Sequence, residues 1–175
     1  MSIHIQLPDG KYRDCLIRAN GEVTDFGWRS NVVVDQCREL LAAFMLGGTA
    51  LGIQYISLGR GDAIWDTQPY VAPPASTHDL QDTTAHQIAV TDAAMSIGYI
   101  DSMGNATGTA QPRIEVSVTI EGDSLPISAG ETFPLREFAL YGELNSTDYM
   151  IDYVRHGVIH IAQGDVLTRR IRLVF

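Results

Sequence analysis

The chain has 175 residues, of which 45% are hydrophobic and 19% are charged. That length suits one domain with a substantial core, and the composition is too apolar for a disordered protein. Lys and Arg number 12 against 21 Asp and Glu, so the formal net charge of −9 disfavours binding to nucleic acid or to anionic membranes.

The sequence also argues against membrane insertion and secretion. No apolar run approaches the roughly 20 residues that span a bilayer. The N-terminal residues lack the basic and apolar segments of a signal peptide. Cys15 and Cys37 are too few for a disulfide framework, and Cys37 lies where a helix should bury it. We therefore expect folding in a reducing cytoplasm.

The N-terminal region alternates weakly in hydropathy ("SIHIQL", then "YRDCLIRAN") and has Gly-centred turns at "PDG" and "NGE". This pattern predicts a hairpin-like arm over residues 1–25, followed by a single β-sandwich-like domain over residues 26–175.

The segment "GWRSNVVVDQCRELLAAFMLGG" predicts an α-helix. Ser30 or Asn31 is suited to cap its start, and Gly47 and Gly48 to end it. Its apolar residues recur at helical spacing, which predicts one buried face: Val34, Cys37, Leu41, Phe44 and Met45.

The remaining regular segments have the patterns of strands. "GIQYISLG" and "MSIGYID" predict short strands, and "LREFALYGE" with "DYMIDYVRH" predicts a hairpin joined by "LNSTD". In "PRIEVSVTIEGD" one face of a strand carries Ile114, Val116, Val118 and Ile120. We therefore expect a mainly β protein, an antiparallel β-sandwich with one α-helix packed on it (α+β by strict count).

The C-terminal segment "VLTRRIRLVF" predicts a strand with a core face of Leu167, Ile171, Leu173 and Phe175. Alternation divides Arg169, Arg170 and Arg172 between the two faces, so they form no single basic patch, and we expect acidic partners for them. Upstream, His156 and His160 would lie about 13 Å apart on a strand, too far to share a metal ion. We expect two partly exposed histidines there.

The Pro-rich loop "RGDAIWDTQPYVAPPASTHD" contains Asp62 and Asp66 on either side of an apolar triplet, which is not the spacing of a calcium loop. We expect these carboxylates to bind the loop backbone and Trp65 to fill the core or an interface. Aromatic side chains beside stiff prolines suit an interface, although the loop could also pack on its own domain. The candidate interface residues are Trp65, Tyr70, Val71, Arg170 and Arg172.

No pattern predicts catalytic, cofactor-binding or metal-binding residues. "TTAHQIAVTDAAMS" brings Ser, His and Asp close in sequence, but the chain has no GxSxG elbow and no P-loop lysine. Its glycine-rich segments do not follow the strand–helix order of a dinucleotide site. We therefore expect a protein that is not an enzyme.

Four segments, in this order, resemble small baseplate and tail-fibre-associated modules of tailed bacteriophages, including the tail-collar domain of some fibres. They are "GWRSNVVVDQCRELLAAFM", "GIQYISLGRGDAIWD", "LREFALYGE" and "DYMIDYVRHGVIHIAQGDVLTRRIRLVF". The resemblance implies a non-enzymatic virion structural protein at the baseplate or the tail–fibre junction. Such a protein is made in the host cytoplasm and contacts copies of itself and other virion proteins.

The resemblance is not complete, and other functions stay open. A tail-collar domain leads into a long fibre, whereas this sequence ends at Phe175. The resemblance therefore implies an anchor or adaptor without its own fibre. Contractile injection systems use similar modules. The alternatives are a capsid-decorating cement protein, a carbohydrate-binding module for the host surface, and a hydrolase.

Overall fold

The computed structural model describes residues 8–68 and 70–175. Two antiparallel sheets pack face to face around a shared core, and one α-helix packs against one of them. The sequence-based prediction of a mainly β sandwich with one helix is confirmed. Within the described residues, no helix combines the length and the apolar character needed to cross a membrane.

The elements in chain order are β1 (Asp9–Ile17), β2 (Val23–Ser30), β3 (Val32–Val33), α1 (Asp35–Met45), β4 (Ala50–Gly59), β5 (His86–Ala89), β6 (Met95–Ile100), β7 (Ala106–Thr107), β8 (Arg113–Glu121), β9 (Thr132–Leu144), β10 (Thr147–Ala162) and β11 (Val166–Val174). The six-stranded sheet has the order β2-β1-β11-β8-β6-β7, and the five-stranded sheet has the order β3-β10-β9-β4-β5. A 3-10 helix spans Ala63–Asp66 between β4 and β5.

The core lies between the inner faces of the two sheets, and alternation selects its residues. In β8 the predicted face lies in the core, with Val116, Val118 and Ile120 fully buried and Ile114 partly buried. The inner face of β11 is buried as predicted except at Phe175, which is 48% exposed. Phe175 follows the last residue of β11, where its N–H donates to the carbonyl of Pro112 at the rim of the sandwich.

The predicted hairpin is formed by β9 and β10. Its turn is shorter than expected, because Asn145 and Ser146 alone connect the strands and both have positive φ angles, 52° and 61°. Such conformations fit the right-handed twist of a two-residue hairpin. The outer face of this hairpin is also covered, where Tyr141 and Tyr153 pack with Val34 in a second, smaller apolar cluster.

The N-terminal residues 9–25 lie in β1 and β2, and β1 pairs with β11 along its whole length. The predicted "NGE" turn connects β1 to β2, with Gly21 at a φ of 86°. Asp9 and Gly10 belong to β1, so "PDG" is not the turn that the sequence predicts. The segment "SIHIQL" lies outside the described residues.

The predicted start of the helix is wrong by about one turn. Val32 and Val33 pair with β10 as a short strand, and α1 begins at Asp35 with Val34 at the N-cap and no side-chain cap. Ser30 ends β2, and the amide nitrogen of Asn31 donates to Asp152 at 2.6 Å. Consecutive β-branched valines favour the extended conformation here over helix.

The predicted apolar face of α1 is only partly buried. Val34 and Cys37 are buried as expected, and Leu40 is buried as well, but Leu41, Phe44 and Met45 face outward. We call Leu41, Phe44, Met45 and Leu46 the α1 apolar end. Their exposed fractions are Leu41 38%, Phe44 65%, Met45 83% and Leu46 88%.

Candidate functional site

A β-bulge in β10 shapes the main candidate site. Arg155 pairs with Glu137 and Ile159 pairs with Leu135, so four steps along β10 match two along β9. Residues 156–158 therefore lie opposite the single residue Arg136 and leave the regular ladder. Bulges of this kind redirect side chains and are common beside functional sites.

The bulge lies on one wall of a groove at the side of the sandwich. The opposite walls are the edge strand β2 and the loop that follows β4. Two adjoining depressions of about 460 Å³ and about 420 Å³ make up this groove. The residues that line both depressions are Arg29, Tyr70, Arg155, His156 and Gly157. We call it the Arg29–Arg155 groove.

Trp65 and Arg155 face each other in this groove. The guanidinium carbon of Arg155 lies 3.8 Å from the centroid of the Trp65 ring, the geometry of a cation–π contact. The position of the ring is fixed by its loop. Asp62 accepts a hydrogen bond from the backbone N–H of Ile64, and Gly61 has a φ of 55°. A Cβ atom at Gly61 would lie 2.4 Å from a Trp65 ring carbon, so a side chain there would displace the indole.

Among the residues that the structure describes, one carboxylate lines the groove, and it is already paired. Asp66 accepts from Nε and Nη2 of Arg136 at 3.0 Å and 2.7 Å, a bidentate pair. These hydrogen bonds lower the pKa of Asp66 below its ordinary value. Among the residues that the structure describes, neither Arg29 nor Arg155 forms a salt bridge, and Nε of Arg155 is buried without an acceptor.

Beneath the groove, His156 belongs to a buried polar cluster. Its Nδ1–H donates to the carbonyl of Gly157 at 2.7 Å, so Nε2 is free to accept from Nη2 of Arg169 at 3.0 Å. Burial, followed by the Arg169 charge, lowers the pKa of His156 from 6.5 to about 4. The prediction of a partly exposed His156 is wrong, because the bulge turns this side chain into the sandwich, where it is 5% exposed.

Arg169 is the centre of that cluster. Its guanidinium donates twice to Asp14 and lies 3.8 Å above the ring of Phe138. The inward position of Arg169 and the outward positions of Arg170 and Arg172 confirm the predicted division between faces. The acidic partner expected for these arginines is present for Arg169 and also for Arg172, which donates to Glu115 at 2.7 Å.

Asp152 is a second fully buried carboxyl group. It accepts from the backbone N–H of Leu140 at 2.9 Å and from the amide of Asn31, next to a second bulge in β10. Burial raises the pKa of Asp152 from 3.8 to about 7, although these hydrogen bonds and Arg169 oppose the change.

The structure divides the predicted interface residues between two surfaces. Trp65 and Tyr70 line the Arg29–Arg155 groove, and Val71 follows them with 64% of its surface exposed. Arg170 and Arg172 lie on the outer face of the six-stranded sheet, where Arg172 also stacks on Trp28 at 4.4 Å. The expected loop-backbone role holds for Asp62 but not for Asp66, which binds Arg136.

Sequence reasoning missed Arg29 and Arg155 as site residues. Only "RHGV" gave a local signal, because Gly157 interrupts the alternation of β10. The segment "TTAHQIAVTDAAMS" does not assemble its Ser, His and Asp: Asp92 accepts from the backbone of Ala94, and Ser96 is absent from the depression lined by His86 and Asp92. Across residues 8–68 and 70–175 no group of three or more His, Cys, Asp or Glu is placed to hold a metal ion.

Comparisons with protein-family models, with curated proteins and with solved structures find no match to this chain.

Proposed function

We propose that the chain is a non-enzymatic structural protein of a tailed-phage virion, in the baseplate or at the tail–fibre junction. It acts through assembly contacts with copies of itself and with other virion proteins. The α1 apolar end is the observation that carries this proposal, and the resemblance of four segments to tail modules supplies the setting.

The α1 apolar end has the properties of an assembly surface. Leu41, Phe44 and Met45 are three and four residues apart, so they lie on one face of the helix. Unlike the buried Cys37 and Leu40 of the same helix, these side chains remain open to solvent. Contiguous exposed apolar side chains on a folded protein mark sites of contact with other molecules.

The polar clusters of the molecule support binding and structure rather than catalysis. Both ring nitrogens of His156 have partners, and the side chain is buried, so it is not placed to exchange a proton with a substrate. The Asp14 carboxylate is fully paired with Arg169 in the same way. General acid–base catalysis requires a group within reach of the substrate proton.

Immunogold labelling of purified particles from a strain that carries the gene tests the setting directly. Label at the tail end distal to the head, or at the fibre attachment points, is the expected result. Label over the head supports the capsid-decoration alternative instead. Particles that lack the chain altogether contradict every virion assignment.

Two matched methionine variants test the role of the helix surface. Met45 and Met103 are almost equally exposed, 83% and 84%, but only Met45 belongs to the α1 apolar end. We expect Met45→Ser, and more strongly Phe44→Ser with Met45→Ser, to reduce incorporation into particles at unchanged solubility. Met103→Ser should incorporate like wild type. Equal incorporation of all variants contradicts assembly through this surface.

A carbohydrate-binding function has one specific observation in its favour, the exposed Tyr70 beside Trp65 in the Arg29–Arg155 groove. Aromatic rings of this kind stack on sugar rings. Saturable binding of the isolated chain on a glycan array, removed by Tyr70→Ala, would favour this function over the assembly role.

A further inference from the structure

The Arg29–Arg155 groove has a charge opposite to that of the chain around it. Its two arginines have no carboxylate partner among the described residues, and its one carboxylate, Asp66, is paired with Arg136. His156 adds no charge, because its Nε2 accepts from Arg169. The groove is therefore cationic on a chain with a formal net charge of −9.

Arg155 is held in place for an acceptor that the chain does not supply. The cation–π contact with Trp65, at 3.8 Å, restrains the guanidinium group of Arg155 within the groove. Nε of Arg155 is buried, so an acceptor in the groove reaches the guanidinium through its terminal Nη groups, and Arg155 forms no salt bridge among the described residues. A planar carboxylate matches the donor geometry of a guanidinium group.

The same stacking favours a peptide over a sugar as the occupant. The Trp65 face that a sugar ring would need is covered by Arg155 at 3.8 Å. Tyr70, 64% exposed, remains available for an apolar side chain beside the acidic ones. The groove also runs along β2, which has an edge position in its sheet and so offers unpaired backbone groups to an extended chain.

We propose that the Arg29–Arg155 groove binds an extended acidic segment of a partner protein, whose carboxylates pair with the two guanidinium groups. The proposal rests on the assembly function above, for which it specifies the chemistry of one contact. Electrostatic complementarity of this kind selects partners and speeds their association.

Fluorescence of Trp65 tests the proposal in the full chain. The sequence has two tryptophans, so Trp28→Phe leaves Trp65 as the only indole. We expect a hexaglutamate peptide to change the Trp65 emission saturably and to bind more weakly as salt rises. A hexalysine peptide should produce no change. Hexagalacturonate, an acidic sugar with six carboxylates like hexaglutamate, should bind at least about tenfold more weakly, a difference of about 1.4 kcal/mol.

Arginine variants locate the binding. Arg29→Gln should weaken hexaglutamate binding about tenfold, the loss of one charged hydrogen-bond donor. Arg155→Lys keeps the charge but removes the planar donor pair, so it should also weaken binding. Arg170→Gln is the matched control, since Arg170 is exposed on another surface and forms no salt bridge among the described residues. Urea unfolding of each variant verifies that it is folded.

Four results would overturn the proposal: no emission change at millimolar hexaglutamate, equal binding of hexalysine, an equal loss in Arg170→Gln, or tighter binding of hexagalacturonate. The last result assigns the groove to an acidic sugar. All four results concern binding to the groove and none concerns the location of the chain in particles. Immunogold labelling could therefore still support the proposed function if the groove proposal failed.

Discussion

Arg169 donates to Asp14 from two nitrogens, Nε at 2.7 Å and Nη2 at 2.8 Å, with both side chains inside the core. The two residues are cross-strand neighbours in β1 and β11, and both point to the inner face. Neither charge has access to water, so each depends on the other for compensation.

We expect Asp14→Ala to destabilise the fold by about 3–5 kcal/mol, because it leaves the Arg169 charge buried and unpaired. Replacing both partners, as Asp14→Leu with Arg169→Met, should recover much of this loss. Urea unfolding measures both free energies. The exposed pair Arg13–Asp25 provides the control, and Asp25→Ala should cost far less. A double variant no more stable than Asp14→Ala would show that the cluster acts through packing alone.

His156 should make the fold sensitive to acid. Its pKa is 6.5 when exposed and about 4 in the folded chain, so the unfolded chain binds a proton first as pH falls. The stabilising contribution is complete above pH 6.5 and is lost as pH falls towards 4. As pH falls from 6.5 to 4.5, we expect the free energy of unfolding to decrease less in His156→Gln than in wild type.

Urea unfolding at several pH values measures the effect, which is at most about 1.4 kcal/mol for each unit of pKa change. His160→Gln, at an exposed histidine of the same strand, is the matched control for replacing a histidine with glutamine. Parallel profiles for His156→Gln and wild type would contradict the buried neutral state of this histidine.

The sequence predicts the strands well wherever one face is buried, because alternation then reports the buried side. This holds for β8 and for the inner face of β11. The apolar spacing of α1 is also real, but spacing shows only that a face is apolar. Whether another part of the chain covers Phe44 and Met45 depends on where the helix lies on the sandwich.

The candidate site depends on relationships that no local pattern contains. Asp14 and Arg169 are 155 residues apart, and they meet only because of the register between β1 and β11. The bulge at residues 156–158 is likewise a mismatch between β10 and β9. Arg29 enters the groove from a third strand, β2, so its role follows from the order of strands across the sheets.

Asp152 should oppose His156 in the pH profile. Its carboxyl group has a pKa of 3.8 when exposed and about 7 in the folded chain, so the folded chain retains a proton that the unfolded chain has lost. The stabilising contribution is complete below pH 3.8 and is lost as pH rises through 7. We therefore expect the stability of Asp152→Asn, relative to wild type, to improve as pH rises from 4 to 8.

Between pH 4 and 6.5 the contributions of His156 and Asp152 to the free energy of unfolding change in opposite directions. They could cancel in wild type, so the single variants are needed to separate them. Asp79→Asn changes an exposed carboxylate and serves as the control. If Asp152→Asn and Asp79→Asn gave the same pH dependence, Asp152 would be ionised in the folded protein and the assigned pKa would be wrong.

Glu137 should hold the loop before β5 against the sandwich. Its buried carboxylate accepts from the backbone N–H of Asp82 at 2.7 Å, from that of Gln81 at 3.1 Å and from the Tyr153 hydroxyl at 2.6 Å. In Glu137→Gln one of these donors faces an amide NH₂, so we expect a loss of about 1–3 kcal/mol. Hydrogen exchange at Gln81 and Asp82 should become faster.

Tyr153→Phe removes one donor but leaves both backbone hydrogen bonds, so exchange at Gln81 and Asp82 should change much less. The exposed Glu131→Gln variant controls for the loss of one negative charge. Unchanged protection in Glu137→Gln would mean that the loop is held by its apolar contact through Leu80 instead.

Deleting residues 172–175 should abolish folding. This removes the last third of β11, which pairs with β1 on one side and with β8 on the other. It also removes Leu173, which is 1% exposed, and its loss alone resembles a large-to-small core substitution of about 2–5 kcal/mol. We expect no cooperative unfolding transition and no near-ultraviolet circular dichroism from the truncated chain.

Deleting Phe175 alone is the matched control, because this residue follows the strand and is half-exposed. That variant should unfold cooperatively at a urea concentration only slightly below the wild-type midpoint, since it loses one rim contact and one backbone hydrogen bond. If the chain that lacks residues 172–175 still unfolded cooperatively, the first two thirds of β11 would be enough to hold β1 and β8 in one sheet. In that case the central position of β11 in the six-stranded sheet would not be essential to the fold.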